Sequence, residues 1–164
     1  MENVTVKKSV MHGTGVFAHR DFAKGETILQ IDDTHIVTDE NALSEEDKNH
    51  CDYLVDKMVL MQSPEVYINH SCEPNTYTKT INGLRYVLAM RDIKNGEEIT
   101  YDYVVNGYYE GANPPCNCGS KRCRGNINTD FFKLPLNLQK EYLPYLDEWF
   151  VEQFKDKISD IKSR

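Results

Sequence analysis

Short runs of alternating apolar and polar residues occupy the first two thirds of the chain. Val4, Val6 and the segment 16–18 predict brief strands on either side of a turn at Gly13 to Gly15. Three more segments follow glycine-containing turns and are also predicted as strands: residues 26–31, 84–90 and 97–103. The pattern therefore predicts a β-rich α+β protein, with its helices confined to two other stretches.

Those two stretches carry helical periodicity. Ser44 and the acidic residues after it are typical of a helix N-terminus, and apolar side chains at 53, 54, 58 and 61 extend the predicted helix to about Met61. Residues 134–164 form a helical tail in which Pro144 predicts a break between two helices. We interpret the tail's apolar stripe as internal packing or a homodimer surface, with a partner-docking helix as the alternative: Leu138, Tyr142, Leu146, Trp149, Phe150 and Phe154.

Composition and charge narrow the class of protein. With 164 residues, 40% hydrophobic and 27% charged, the chain fits one globular domain with at most a short appendage. It has no apolar run long enough to span a bilayer and no signal-peptide apolar region, so we expect an intracellular protein, cytoplasmic or nuclear, with no membrane partner. The net charge of −7 argues against direct binding of nucleic acid. Residues 133–164 are balanced in charge, so the acidic surplus lies before them and would attract a basic partner.

The five cysteines indicate a metal site rather than disulfides. Their number is odd, and Cys116, Cys118 and Cys123 lie within eight residues of one another. Thiolates at this spacing can share one tetrahedral Zn²⁺, and a closed structural site needs a fourth ligand. Cys72, Cys51 or a histidine could supply it. We favour Cys72, because its predicted loop can aim a ligand freely, whereas Cys51 falls on the predicted helix.

Two other motifs carry candidate chemistry. Residues 13–18 match the G-x-G-x-x-A dinucleotide fingerprint, but no crossover helix follows, so the segment is either a plain tight turn or a turn that gives another ligand access to the backbone. Residues 69–75 are dense in polar side chains. A cysteine-protease pair using Cys72 would conflict with Cys72 as a zinc ligand. Tyr101 and Tyr103 would share one strand face, either as ordinary packing or as an aromatic slot for an amine.

Taken together, these motifs resemble the SET-domain protein-lysine methyltransferases over roughly residues 4–128. The matching segments follow the order of the family: residues 13–18, 24–26, 68–75, 89–93 and 96–103. The Cys-x-Cys-x₄-Cys run after them is similar to a post-SET zinc knuckle. The resemblance implies a SET fold of several small β-sheets with a pseudoknot, a SET domain over residues 2–105, a post-SET zinc-binding segment over 112–128 and a helical C-terminal extension over 131–164.

The resemblance also implies roles for individual residues. S-adenosylmethionine would lie against a set of eight residues: Gly13, Thr14, Gly15, Tyr67, Asn69, His70, Tyr103 and Ile127. Cys72 would join Cys116, Cys118 and Cys123 on a structural Zn²⁺. Tyr103 matches the catalytic tyrosine, and Tyr101 stands at a channel position where the family carries Phe or Tyr. A Tyr there favours adding few methyl groups, so we expect mainly monomethylation.

The implied activity is methyl transfer to the side-chain amine of a lysine in a protein. The acidic surplus would attract a lysine in a basic segment, such as a histone tail or a ribosomal protein. The alternative is a catalytically silent SET module that acts as a protein-interaction domain. A zinc-dependent DNA-binding module is disfavoured by the charge. The chain departs from the pattern at Val66, where several relatives have Arg, and in the short acidic stretch between Ile36 and Tyr67.

Overall fold

The computed structural model describes residues 3–54, 56–108, 111 and 113–164. Within this part of the chain, ten strands form three small sheets, followed by helices. The first sheet has the order β1 (Val4–Lys8), β2 (Thr14–Ala18), β10 (Glu98–Tyr101) and β7 (Asn69–His70). The second has the order β3 (Thr27–Gln30), β9 (Leu84–Ala89) and β8 (Thr76–Ile81). The third has the order β4 (Ile36–Val37), β6 (Met58–Leu60) and β5 (Cys51–Tyr53).

The first sheet brings distant motifs together through β10. This strand pairs antiparallel with β2 and parallel with β7, so that Thr100 lies opposite Asn69 and Tyr101 opposite His70. The parallel pairing places the tyrosine segment directly beside the polar segment 69–75. The predicted set of small sheets is confirmed, and this insertion of β10 positions the site described below.

The apolar positions of the predicted strands form the main core. Val16, Ile28, Val87 and Ile99 are fully buried there together with Ile93. Alternation along the strands turns their polar neighbours outward. At the turn before β10, Gly96 has a φ of 83°, a backbone conformation that favours glycine.

The helix predicted from Ser44 to about Met61 is wrong beyond its first turn. Ser44 caps helix α1 (Glu45–Lys48) by accepting a hydrogen bond from the Asp47 amide, as its sequence predicts. The chain then folds into the β5–β6 hairpin, in which Tyr53 lies opposite Met58. Leu54, Met58 and Met61 do have helical spacing, but the strand pairing buries Val59 in the third sheet. Residue 55, inside the predicted helix, lies outside the described residues.

Strand β10 is also shorter than predicted. It ends at Tyr101, and Tyr103 lies in the turn that follows, so the two tyrosines do not share a strand face. Their rings are nevertheless neighbours, with centroids 5.3 Å apart. The turn, rather than strand alternation, brings them together.

The C-terminal tail is helical, as predicted, and breaks around Pro144. It contains α2 (Leu136–Tyr142), a 3-10 turn over Leu143–Tyr145, α3 (Glu148–Gln153) and α4 (Lys155–Ser163), with a second break at Phe154. Tyr142, Leu146 and Phe150 of the apolar stripe are buried in a second core that also contains Val104. The stripe therefore packs against its own chain, and most of this apolar surface is not available for a homodimer contact. No helix among the described residues is long and apolar enough to cross a membrane.

Candidate active site and metal centre

A cavity of about 650 Å³ lies where the first sheet, the cysteine-rich segment and the tail meet. Its walls include most of the residues expected to hold S-adenosylmethionine: Gly13, Thr14, Tyr67, Asn69, His70, Tyr103 and Ile127. Gly15 does not line it. A Cβ there would come within 2.3 Å of a carboxylate oxygen of Glu98, so Gly15 permits close packing behind the turn. Tyr101 lines the same cavity.

The amide of Asn69 fastens the glycine turn to β7. Its Nδ2 donates to the carbonyl oxygen of Thr14 at 3.0 Å and to that of His12 at 3.2 Å. The same nitrogen donates to Oε1 of Glu98 at 2.8 Å. Asn69 thus fixes the backbone of the turn at the cavity wall, which explains why an amide rather than a carboxylate stands at this position.

The two tyrosines are neutral phenols at physiological pH. Burial raises the pKa of Tyr103 to about 12 and that of Tyr101 well above its ordinary value. The Tyr103 hydroxyl donates to the carbonyl oxygen of Ile68 at 2.9 Å, which fixes the direction of its proton. Its ring also packs edge-on against His70, with centroids 5.2 Å apart. The Tyr103 side chain is therefore fixed in position, and as a neutral phenol it is unsuited to act as a strong base.

The structure brings the four predicted metal ligands together. The Sγ atoms of Cys72, Cys116, Cys118 and Cys123 all lie within 4.8 Å of one another. Those of Cys72 and Cys116 are 3.8 Å apart. A tetrahedral Zn²⁺ with Zn–S bonds of about 2.3 Å requires sulfur atoms about 3.8 Å apart, so this donor set fits a structural zinc. Cys51 stands apart, and its buried thiol donates to the carbonyl oxygen of Asp47.

Asp102 joins the tyrosines, the cysteine-rich segment and the tail. This carboxylate is 2% exposed and accepts two hydrogen bonds from the guanidinium of Arg124, at 2.7 and 2.8 Å. It also accepts one from the hydroxyl of Tyr142 in α2 at 2.9 Å. The sequence places Asp102 within a motif and Tyr142 on the apolar stripe, but it carries no signal for their contact, because that contact depends on how the tail packs.

His70 connects the candidate metal centre to Tyr103. The Tyr103 amide donates to Nδ1 of His70 at 3.3 Å, so Nδ1 is the unprotonated nitrogen and Nε2 carries the proton. Nε2 lies 3.4 Å from Sγ of Cys72. Burial lowers the pKa of His70 to about 4, which keeps the ring neutral. A histidine expected to contact cofactor therefore also supports a cysteine ligand.

A second charged cluster lies in the cavity wall, and the sequence analysis did not identify it. Arg85 is buried and donates to both carboxylate oxygens of Asp33 and to Asp52. Glu65 is 2% exposed, and neither of its carboxylate oxygens has a hydrogen-bond partner in the described part of the chain. Burial, with the nearby charge of Asp52, raises the pKa of Glu65 to about 8. The sequence showed only an acidic stretch here.

Comparison with known proteins identifies related sequences and folds. The family model described as SET domain matches residues 13–104. The chain is 34% identical over 139 residues to histone-lysine N-methyltransferase trithorax of Drosophila virilis, covering 76% of this chain and 4% of that protein. It is 33% identical over 141 residues to human histone-lysine N-methyltransferase 2B, covering 77% of this chain and 5% of that protein. The chain thus spans only a small part of these relatives.

Solved structures share the fold. The methyltransferase domain of human histone-lysine N-methyltransferase SETMAR superposes with a TM-score of 0.61 at 19% sequence identity. The similarity covers 79% of this chain and 59% of that one. At this level of identity the likeness concerns the arrangement of small sheets, and the chemistry has to be argued from the residues in the cavity.

Proposed function

Since the chain belongs to the SET-domain family, we propose that it is a protein-lysine N-methyltransferase that uses S-adenosylmethionine. The observation that carries the proposal is that Tyr101 and Tyr103 line one cavity with the glycine turn and the Asn69–His70 pair. Relatives named as histone-lysine N-methyltransferases support the same activity. The alternative, a silent module that only binds a partner, does not account for the retained tyrosines.

The residues of the cavity suit S-adenosylmethionine, which supplies a methyl group on a sulfonium sulfur. A volume of about 650 Å³ is within the range of small-molecule sites. Gly13 and Thr14 of the turn, together with Asn69 and the neutral ring of His70, offer backbone and side-chain polar groups. Tyr67 and Ile127 provide aromatic and apolar surface at the cavity wall.

The tyrosines make the lysine amine reactive by burying it. At pH 7, deprotonating a lysine with a pKa of about 10.4 costs about 4 to 5 kcal/mol. An aromatic channel without water disfavours the ammonium form and so reduces this cost. The Tyr103 hydroxyl, held by the Ile68 carbonyl, orients the neutral amine through its oxygen. Tyr101 narrows the channel beside it, and we propose mainly monomethylation for that reason.

Zinc has a structural role in this proposal. Cys72, Cys116, Cys118 and Cys123 would hold it as a closed four-thiolate site with no open position for chemistry. Cys116 and Cys118 line the cavity, and the Arg124 amide donates to Sγ of Cys72. The ion would therefore keep one cavity wall in place.

The substrate we propose is a histone-like or other basic protein with a lysine in a basic segment. The chain's charge of −7 complements such a partner and disfavours direct contact with nucleic acid. An intracellular, cytoplasmic or nuclear, location follows from that substrate. The domain organisation that we propose is a SET domain over residues 2–105, a post-SET zinc segment over 112–128 and a helical extension over 131–164. Residues 2 and 112, at two of these boundaries, lie outside the described residues.

Isotopic S-adenosylmethionine tests the proposal directly. Purified protein is incubated with it and core histones, or with a cell extract, and the labelled lysine is identified by mass spectrometry. We expect the wild type to label lysine, and Tyr103→Phe to lose most turnover while still binding S-adenosylmethionine. Tyr86→Phe removes a hydroxyl from a tyrosine outside the cavity wall and serves as the matched control. A wild type that binds S-adenosylmethionine but labels no protein would favour the silent module.

A further inference from the structure

Glu65 is a buried carboxyl group that the proposed reaction does not yet use. It opens a 3-10 turn over Glu65–Tyr67, two residues before β7. Only 2% of the residue is exposed, and both carboxylate oxygens lack a hydrogen-bond partner among the residues that the structure describes. A buried carboxyl group without a hydrogen-bond partner lowers the stability of the folded protein. Such a group calls for an explanation, for example a ligand that donates a hydrogen bond or a proton to it.

The surrounding charges do not neutralise Glu65. Arg85 of β9 is the nearby cation, but each of its three nitrogens already donates to Asp33, which follows β3, or to Asp52 of β5. Three carboxylates therefore surround one guanidinium. From β10, Tyr101 faces the same cluster, and after burial the charge of Glu65 is the largest cause that raises the pKa of this phenol. Even while Glu65 is protonated, the two aspartates outnumber the one guanidinium, so the cluster has an excess of negative charge and can accept a cation.

The position of this cluster suggests what the cation is. Glu65, Asp52 and Arg85 line the same cavity as Tyr101 and Tyr103. In the proposed function, this cavity admits a lysine side chain, which arrives as an ammonium ion and has to lose one proton before the methyl group can move. The carboxyl group of Glu65 can accept a proton, and it thus lies in the wall of the cavity that would receive the lysine ammonium group.

We propose that Glu65 binds the ammonium group of the target lysine and accepts its proton. One N–H bond of the ammonium breaks, an O–H bond forms on the Glu65 carboxylate, and the electron pair stays on the lysine nitrogen for attack on the methyl group. This inference rests on the proposed function. It assigns the proton acceptor to Glu65 and leaves Tyr103 to orient the amine.

The environment of Glu65 suits this step. Burial raises its pKa to about 8 from 4.5, so its carboxylate is on the order of a thousand times more basic than an ordinary one. Near that pH an appreciable fraction of the protein still carries the ionised form, which is the form that accepts the proton. An exposed glutamate would be ionised at neutral pH but would take up the lysine proton far less readily.

Amine binding tests the assignment without requiring methyl transfer. The probe is n-butylamine, which has the four carbons and the nitrogen of a lysine side chain, and the carboxyl of Glu65 is followed by ¹³C NMR in zinc-loaded, glutamate-labelled protein. Its resonance is identified by its loss in Glu65→Gln, or by its loss in Glu65→Asp if the first variant does not fold, because the aspartate carries no label. We expect saturating n-butylamine to lower the pKa of Glu65 by at least about one pH unit, because a bound cation favours the carboxylate. An unchanged titration overturns the proposal.

Methyl-transfer kinetics test the proton step. With core histones as substrate, Glu65→Gln should lower kcat/KM at pH 8 on the order of 100-fold, and the loss should shrink towards pH 10 as lysine deprotonates unaided. Glu46→Gln, which removes the same charge from an exposed position on α1, should leave the profile unchanged. A loss that is equal at every pH would mean a merely structural role and would overturn the proposal. A wild type without methyl transfer, in which n-butylamine still shifts Glu65, would overturn the proposed function and keep the amine-binding assignment.

Discussion

Removal of one hydroxyl group, in Tyr142→Phe, should destabilise the protein and impair the site together. The Tyr142 hydroxyl lies in helix α2 and donates to Oδ2 of Asp102 over 2.9 Å. Both residues are almost fully buried, at 3% and 2% exposure, so water cannot replace the lost donor. The Asp102 carboxylate would keep its two hydrogen bonds from Arg124 but would lose the one that attaches it to the tail.

The magnitude follows from the charge and the burial. A hydrogen bond to an ionised group contributes about 1.5 to 3 kcal/mol, so we expect Tyr142→Phe to lower the free energy of unfolding by about 2 kcal/mol. In a chain of this length, that corresponds to a fall in Tm of roughly 5 °C. Because Asp102 lies between Tyr101 and Tyr103 in sequence, loosening it should lower kcat more than it raises KM for the protein substrate.

Urea denaturation of the zinc-loaded protein provides the measurement. Trp149, the single tryptophan of the chain, lies in α3 and reports on the tail by fluorescence. Tyr145→Phe is the matched control, since this half-buried tyrosine packs edge-on against Tyr77 and its hydroxyl lies outside the Asp102 cluster. A destabilisation below about 0.5 kcal/mol in Tyr142→Phe, or an equal one in Tyr145→Phe, would refute the reasoning.

Three further changes have outcomes that the structure predicts. Removing zinc with a chelator should lower methyl transfer at least about tenfold, while the circular dichroism signal of the sheets persists. Added zinc should restore the activity. Full activity without zinc would contradict the proposal that zinc keeps one cavity wall in place. Tyr101→Phe should increase di- and trimethyl products by mass spectrometry, and an unchanged ratio would count against its role in the channel. The pKa of Glu65 is about 8 in the folded protein, against an ordinary value of 4.5. Ionisation of Glu65 therefore lowers the stability of the folded protein as the pH rises towards 8. The wild type should therefore lose about 3 kcal/mol more unfolding free energy than Glu65→Gln between pH 6 and pH 9. The same pH dependence in both proteins would exclude the raised pKa of Glu65.

Features set by neighbouring residues in the chain could be predicted from the sequence. The spacing of Cys116, Cys118 and Cys123 allows the three thiols to meet at one ion through a short turn of the chain. The strands around glycine turns follow from local alternation in the same way. Cys72 could be predicted as the fourth ligand because a residue in an irregular loop can adopt the orientation that a metal ligand requires. In the structure its sulfur lies 3.8 Å from that of Cys116.

Features set by packing between distant segments could not be predicted. The apolar spacing of Leu54, Met58 and Met61 fits a helix, but β6 instead pairs with β4 and β5 in the third sheet. The pairing of Arg85 with Asp33 joins residues 52 positions apart. Local pattern could therefore not indicate that the carboxyl of Glu65 would lack a hydrogen-bond partner among the described residues. These are tertiary effects that override local propensity.

The tail and the cysteine-rich segment both stabilise the carboxylate of Asp102. Tyr142 reaches Asp102 from α2, and Arg124 reaches it from the residue after Cys123. One residue further along the chain, the Tyr103 amide donates to His70, whose other nitrogen lies 3.4 Å from the sulfur of Cys72. The backbone on both sides of Tyr103 is therefore fixed by groups that are ordered only when the knuckle and the tail are packed. A chain with the tyrosines but without these two segments would keep the chemistry of the site and lose its geometry.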